Sequence, residues 1–102
     1  MFSLTNKETL EFHRDGYVFV DKLISDSTIE ELKDAFDQIF CGQFDTGVRP
    51  DEVNWLEGES KPTKTRQICN AWKGNAQIAK TSLREDIGKA CAQLGGWPGA
   101  RI

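Results

Sequence analysis

The sequence lacks several features that define particular classes of protein. Its 102 residues include only one histidine and three cysteines. No stretch approaches the roughly 20 apolar residues of a membrane-spanning helix, and the N-terminus has no apolar segment of the kind found in secretion signals. Cys41, Cys69 and Cys91 are odd in number and widely spaced, which argues against a disulfide framework. We therefore expect a cytoplasmic protein with no membrane partner.

The charged residues of the chain show no strong bias to one sign. The chain has 13 Lys and Arg residues against 16 Asp and Glu residues, a formal charge of −3, and no basic run is interleaved with aromatic side chains. Such runs are typical of nucleic-acid-binding surfaces, so no nucleic-acid partner is predicted. With 38% apolar and 28% charged residues, the composition is that of an ordinary globular protein, and residues 1–102 are long enough for one small domain.

The first 20 residues predict a helix followed by a strand. Thr5-Asn6-Lys7-Glu8 has the form of a capping box, which predicts a helix over Asn6–Asp15. Gly16 can adopt the left-handed conformation that ends a helix. Residues 17–20, Tyr-Val-Phe-Val, are aromatic and β-branched, so they are predicted to form a strand.

A second helix is predicted to begin after Ser25 or Ser27 and to stop at Gly42. Acidic and basic side chains fall between its apolar ones, which recur every three or four residues and so share one face: Ile29, Leu32, Phe36, Ile39 and Phe40. An isolated helix of this length is marginal in water, so this apolar stripe needs a surface to cover it.

The last predicted helix begins at a second capping-box match, Ser82-Leu83-Arg84-Glu85, and ends at Gly95-Gly96. Its predicted apolar face consists of Leu83, Ile87, Ala90, Cys91 and Leu94. Beyond it, residues 100–102 resemble the first residues of a strand that has been cut, so we expect the chain to be a truncation.

The middle of the chain is less regular. Residues 44–66 are punctuated by Gly and Pro, and they are predicted to form a long polar loop. Residues 68–72 are predicted to be a short strand or extended segment, and residues 75–81 a short helix. The predicted fold class is therefore α+β, mainly helical, with one to three short strands.

His13-Arg14-Asp15 invites a test as a metal site, because an H-x-D pair supplies two ligands of the two-histidine, one-carboxylate iron site. At a helix end, however, residues two apart diverge by about 200° around the axis. His13 is also the only histidine, so it has no distal histidine to complete the site. We interpret His13 and Asp15 as helix-terminal residues rather than ligands.

The cysteines and the acidic residues of the loop allow two further interpretations. Cys41, Cys69 and Cys91, with His13, have zinc-ligand chemistry but none of the short paired spacings of zinc sites, so ordinary thiols are favoured over a small redox or metal protein. A pair of loop carboxylates could act as acid and base, although solvated charge is the usual role of such residues. These acidic residues are Asp45, Asp51, Glu52, Glu57 and Glu59.

The three tryptophans, Trp55, Trp72 and Trp97, have two possible roles. An aromatic side chain beside a polar loop can line a ligand pocket, or it can fill a core and anchor the loop. The core or anchoring role is favoured for all three. Trp72 is the candidate for substrate contact, and no catalytic, cofactor-binding or metal-binding residue is predicted.

Two segments resemble the N-terminal part of phytanoyl-CoA dioxygenase family proteins, which are non-haem Fe(II)/2-oxoglutarate-dependent oxygenases. The first is Phe12-His13-Arg14-Asp15-Gly16-Tyr17-Val18-Phe19-Val20, continuing through Leu23-Ile24-Ser25 into the second helix. The second comprises Ala71-Trp72-Lys73-Gly74-Asn75, the two helices after it, and Leu94-Gly95-Gly96-Trp97-Pro98-Gly99-Ala100-Arg101-Ile102. The similarity covers nearly the whole chain and concerns scaffold motifs.

The resemblance implies a parent with a double-stranded β-helix built later in the chain. That β-helix would hold Fe(II) through an H-x-D and a distal histidine, and would bind 2-oxoglutarate through a basic residue. None of these residues maps onto residues 1–102. We therefore expect an N-terminal fragment, inactive alone, whose residues 44–66 approach the substrate entrance.

The expected partner of this fragment is the missing C-terminal β-helix, which would cover the apolar faces of helices 29–40 and 83–94. A different class of protein remains open beside it: a self-contained helical interaction module, whose exposed stripe binds a partner or a second copy.

Overall fold

A computed structural model describes residues 1–102 as a mainly helical chain with a small antiparallel sheet. In chain order the helices are α1 (Asn6–Asp15), α2 (Asp26–Phe40), α3 (Ala76–Ser82) and α4 (Glu85–Gly95), and a 3-10 turn covers Ala71–Lys73. Strands β1 (Glu52–Val53) and β2 (Ile68–Cys69) form the two-stranded sheet. The predicted class, α+β and mainly helical, is confirmed. None of these helices has the length and apolar character that crossing a membrane requires.

The chain divides into two compact units. The terminal unit combines Met1–Ile24 with Leu83–Ile102, and the central unit is Ser25–Ser82. Helices α1 and α4 therefore belong to one unit, while α2, the sheet and α3 belong to the other.

Helix α1 forms over the predicted residues, and for the predicted reason. The Thr5 hydroxyl accepts a hydrogen bond from the Glu8 amide at 3.2 Å, and the Glu8 carboxylate accepts one from the Thr5 amide at 2.8 Å. These reciprocal bonds satisfy amide groups that a helix start leaves without partners. At the other end Gly16 has φ 80°, and its amide donates to the Phe12 carbonyl at 2.7 Å.

The start of helix α4 differs from the prediction. Ser82 is the last residue of α3 and does not cap α4, whose N-cap is Arg84 without a side-chain cap bond. The predicted apolar face is confirmed in part, since Ala90 is buried and Ile87 and Leu94 are half-buried. Leu83 precedes the helix and is exposed, Cys91 is exposed, and the buried apolar residues are Ala90 and Ala92. Two consecutive short helices leave no room for an independent capping serine, because α3 continues through that residue.

Asp86 organises the polar contacts of the terminal unit. Its carboxylate lies 2.9 and 2.5 Å from Nε and Nη2 of Arg84, and it accepts hydrogen bonds from the amides of Phe2 and Ile87. The other end of the same guanidinium donates to the Leu23 carbonyl at 2.7 Å. The N-terminal residues, the segment after residue 20 and the first turn of α4 are thus joined through one buried charge.

Residues 17–20 are extended, as expected, but they form no strand ladder. Their amides donate no backbone hydrogen bond. Val18 and Val20 are half-buried, whereas Tyr17 and Phe19 are 58% and 84% exposed, with their rings edge-to-face at 5.5 Å. The segment has the sequence and side-chain alternation of a strand without a neighbouring strand.

Helix α2 is the centre of the other unit. It is capped by the Ser25 hydroxyl, which accepts from the Thr28 amide at 3.2 Å, and it ends two residues before Gly42. Ala35 and Ile39 are buried with Ile78 of α3 to form the core. Partly buried apolar residues surround that core: Leu32, Phe36, Phe44, Val53, Ile68, Ala71 and Trp72.

The α2 stripe therefore has part of its cover within this chain, and further cover of helix 29–40 by a missing β-helix stays a prediction. Ile39 is fully buried, and only Ile29, near the start of the stripe, is exposed. The covering residues come from segments up to about 40 positions further along, which is why the stripe alone could not show what covers it.

The segment 44–66 is more ordered than predicted. Glu52 pairs with Cys69 and Val53 with Ile68 in the antiparallel register. Trp55 is 5% exposed, and its indole N–H donates to the Lys61 carbonyl at 3.0 Å. A two-residue strand carries too little alternation to be detected from sequence, so β1 was missed.

Candidate functional site

The candidate site is the group of side chains around Trp72, in the central unit. Asn70 leads from β2 into the 3-10 turn Ala71–Lys73, which places Trp72 and Lys73 beside it. Asp51, immediately before β1, lies opposite because its amide donates to the Cys69 carbonyl at 3.1 Å. The antiparallel pairing of β1 with β2 thus brings together residues about 20 positions apart.

Asn70 has an unusual backbone. Its φ of 57° and ψ of 50° are left-handed, a conformation that non-glycine residues rarely adopt but that Asn tolerates better than most. The side chain holds the turn in place: Nδ2 donates to Asp51 at 2.5 Å, and Oδ1 accepts from the indole N–H of Trp72 at 3.3 Å. The left-handed backbone is therefore fixed by bonds to both neighbours.

Lys73 completes the group as an ion pair. Its Nζ lies 2.9 Å from both carboxylate oxygens of Asp51 and 5.8 Å from the centre of the Trp72 ring. The bonds from Lys73 and then Asn70 lower the pKa of Asp51 below its ordinary value. Asp51 is half exposed, so this pair is screened by water and contributes little to stability.

Residues 46–50 contact the backbone of Lys73 and Gly74. Gly74 is buried against Pro50, whose ring carbons would lie 2.8 Å from any Cβ at that position. The Thr46 hydroxyl donates to the Lys73 carbonyl at 2.6 Å. A side chain larger than hydrogen at Gly74 would separate the start of the loop from the 3-10 turn.

These contacts decide what the group can do chemically. Lys73 is paired with Asp51, and the Trp72 N–H donates its hydrogen bond to Asn70. What the group presents is a half-buried indole in a fixed orientation. Trp72 packs against the core, which agrees with the favoured core role. Its contact with a substrate stays a prediction.

The H-x-D residues His13 and Asp15 belong to the terminal unit. His13 lies exposed at the end of α1, with its ring edge-to-face to Phe12 at 5.7 Å. The Asp15 carboxylate is paired with the Arg14 guanidinium at 2.8 and 2.7 Å, which lowers its pKa. No three or more His, Cys, Asp or Glu side chains are arranged to hold a metal ion.

The three cysteines are free thiols. The Cys41 thiol donates to the Glu57 carboxylate at 2.7 Å, and this bond raises the thiol pKa. A raised pKa disfavours the reactive thiolate. Cys69 has a long contact of 3.6 Å to Glu52, and Cys91 is exposed.

The loop carboxylates do not form an acid–base pair. Asp45 accepts a hydrogen bond from the Ala76 amide at the start of α3, Asp51 binds Lys73, and Glu57 binds Cys41. Each of these therefore has a local structural partner.

Asn70 and Lys73 were not identified from the sequence as members of a site. Their proximity to Asp51 follows only from the strand pairing, because the register Glu52–Cys69 places Asp51 beside Asn70.

A second feature of the sequence is an asymmetric distribution of charge. Residues 25–59 contain ten acidic and two basic residues, whereas residues 60–84 contain six basic residues and none that is acidic.

Comparison with known proteins gives no match to this chain among family models, curated proteins or solved structures.

Proposed function

We propose that this chain is the N-terminal scaffold region of a phytanoyl-CoA dioxygenase-like, Fe(II)/2-oxoglutarate-dependent hydroxylase, and that it performs no catalysis alone. The observation that carries the proposal is the unpaired extended segment 17–20. It has strand composition and alternating side chains, but no ladder partner. A sheet contributed by a longer parent, here a double-stranded β-helix, would satisfy its backbone and cover Tyr17 and Phe19.

The order of elements also supports the proposal. A helix, an extended segment and a second helix occur in the order that the resemblance implies for residues 12–40. The residues of this chain do not fit an iron site, since Asp15 is engaged by Arg14 and His13 is the single histidine. Iron and 2-oxoglutarate would therefore be held by the parent's other residues. The proposed compartment is the cytoplasm, which suits three free thiols.

Turnover tests the catalytic half of the proposal. The chain is incubated with Fe(II), ascorbate and 2-oxoglutarate, and succinate is measured against a protein-free control. We expect no succinate above the control. Stoichiometric Fe(II) binding accompanied by succinate formation would overturn the scaffold role.

Hydrogen exchange tests the structural half. In this chain alone the amides of residues 17–20 should exchange at nearly unprotected rates, because they have no acceptor. If the coding sequence continues into an H-x-D and a distant histidine, the extended chain should slow these amides at least about tenfold. The α2 amides around Ile39 are the matched control and should be protected in both. Protection of 17–20 in the short chain would contradict the proposal.

A second candidate, a self-contained interaction module, is favoured by one observation. The core of Ala35, Ile39 and Ile78 is complete within the central unit, so part of the chain needs no outside cover. In that case Tyr17 and Phe19 would belong to a binding surface rather than to a buried sheet. The module predicts that 17–20 remain unprotected in any longer product of the same gene, so the exchange experiment separates the two functions.

A further inference from the structure

Arg66 lies on an aromatic platform in the central unit. Its guanidinium carbon is 3.8 Å from the centre of the Trp55 ring and 5.4 Å from that of Phe40. The two rings meet edge-to-face, with centres 5.7 Å apart and an interplanar angle of 88°. Arg66 is exposed, so one side of its guanidinium is packed and the other faces solvent.

The platform itself is fixed. Trp55 is buried, and its N–H is bonded to the Lys61 carbonyl. Phe40 is the last residue of α2, which is anchored in the core by Ile39. A guanidinium that rests on fixed rings gives up less conformational entropy when it binds a ligand than a free arginine does.

No carboxylate neutralises this arginine. The six ion pairs of the chain involve neither Arg66 nor its neighbours Lys61 and Lys64, and the Arg66 N–H groups make no hydrogen bond. The acidic residue Glu57 is bonded to Cys41, and the exposed Glu59 forms no ion pair.

The backbones of Lys61 and Lys64 are linked by hydrogen bonds to the same tryptophan that carries Arg66. The Lys61 carbonyl touches the edge of the indole whose face holds Arg66, and the Lys64 amide donates to that carbonyl at 3.0 Å. The Arg66 guanidinium lies over this tryptophan, and the backbone of Lys61 contacts the same indole. All three basic residues fall within the stretch 60–84, which has no acidic residue.

From this arrangement we propose that Arg66, Lys61 and Lys64 form a binding site for the phosphate group of a small anionic ligand. The planar edge of a guanidinium can bind two phosphate oxygens at once, and lysine adds charge that suits a dianion. The site lies in the central unit and does not depend on the dioxygenase proposal.

Calorimetry with inorganic phosphate at low ionic strength tests the site. Arg66→Gln removes the guanidinium and should weaken phosphate binding at least about tenfold, since hydrogen bonds to charged groups are the strong ones. Arg49→Gln is the matched control, because it removes an exposed positive charge from the same unit and should change the affinity less than about twofold. Equal weakening by the two variants would overturn the site in favour of general charge attraction.

Arg66→Lys separates geometry from charge. It retains the positive charge but loses the planar edge, so its affinity should fall between those of the wild type and Arg66→Gln. Full affinity in Arg66→Lys would overturn the two-oxygen geometry.

Because Arg66 packs on a buried ring, its loss can affect folding, so circular dichroism accompanies each titration. The double variant Lys61→Gln/Lys64→Gln changes only exposed side chains and should retain the fold while weakening phosphate binding severalfold. Unchanged affinity in this folded variant would show that the lysines are not part of the site.

Succinate, titrated in parallel, should bind more weakly than phosphate. Equal or tighter succinate binding would overturn the assignment to phosphate. Absence of phosphate binding up to about 10 mM would overturn the site altogether.

Discussion

Asp86 is the one charged residue that the terminal unit buries, at 8% exposure. Buried carboxylates persist where they are paired and hydrogen-bonded, and here Arg84 supplies two bonds and the amides of Phe2 and Ile87 supply two more. These contacts, led by the bond from Arg84, depress the pKa of Asp86 well below its usual range. Removing the charge would leave Arg84 without its partner beside the Leu23 carbonyl.

Asp86→Asn is therefore expected to lower the free energy of unfolding at pH 7, with a dependence on pH. A carboxyl whose pKa is depressed by folding stabilises the protein above its unfolded pKa of about 4 and loses that contribution as the pH falls towards the folded value. The difference between wild type and variant, measured from urea midpoints, should be largest near neutrality and should shrink below about pH 4.

Glu85→Gln is the matched control for this experiment. Glu85 is adjacent and also paired, with Lys89 at 2.7 Å, but both side chains are exposed. Exposed pairs of this kind contribute little, so the urea midpoint should barely move. A wild-type-to-Asp86→Asn difference that stays constant from pH 7 to pH 3 would show that the carboxylate charge is not what stabilises the unit.

At the level of elements, α2 contributes the central unit's core from one face. Ile39 is fully buried against α3 and the sheet residues, whereas Ile29 on the same helix is exposed. The two residues have identical side chains in the same helix. A comparison of their substitutions therefore separates the effect of burial on stability from the effect of helix propensity.

Ile39→Ala should cost about 2–5 kcal/mol of stability, because it removes buried methyl groups and leaves a cavity. Ile29→Ala should change stability by less than about 1 kcal/mol, since its side chain already contacts water. Urea unfolding followed by circular dichroism at 222 nm measures both. Similar costs for the two substitutions would mean that the central unit does not pack as described.

At the scale of the molecule, the division into two units has a direct consequence for folding. The central unit is one continuous segment, Ser25–Ser82, and its core residues Ala35, Ile39, Trp55 and Ile78 all lie within it. The terminal unit instead combines the two ends of the chain, so its two segments are separated in the sequence by the whole of the central unit.

A fragment of residues 25–82 should therefore fold alone, with dispersed amide resonances and a tryptophan emission typical of a buried indole. A fragment of residues 25–73, which lacks α3 and hence Ile78, is the control and should lose both properties. Cooperative unfolding by urea, present only in the longer fragment, provides the measurement. An unfolded 25–82 fragment would show that the central unit depends on other residues. Domains of this size have marginal stability, so either outcome is physically open.

The candidate site shows where sequence reasoning reached its limit. Trp72 was identified as a candidate because an aromatic residue follows a polar loop, and this property is local. Asp51, Asn70 and Lys73 join it only through the β1–β2 register, and Arg66 reaches Phe40 and Trp55 from positions 26 and 11 residues away. A register between two-residue strands depends on tertiary contacts, so no local pattern contains it.

The sequence by itself determined the start and end of α1, the position of α2 and the mainly helical class. The Thr5–Glu8 capping box, the Ser25 cap, the left-handed Gly16 and the apolar periodicity of α2 act within a few residues of the chain. Only the tertiary structure decided that α2 packs on α3 and the sheet residues, that Arg84 rather than Ser82 caps α4, and that residues 17–20 are extended without a partner strand. Each of these depends on which distant residues supply atoms for packing or hydrogen bonding, and the sequence does not encode that choice locally.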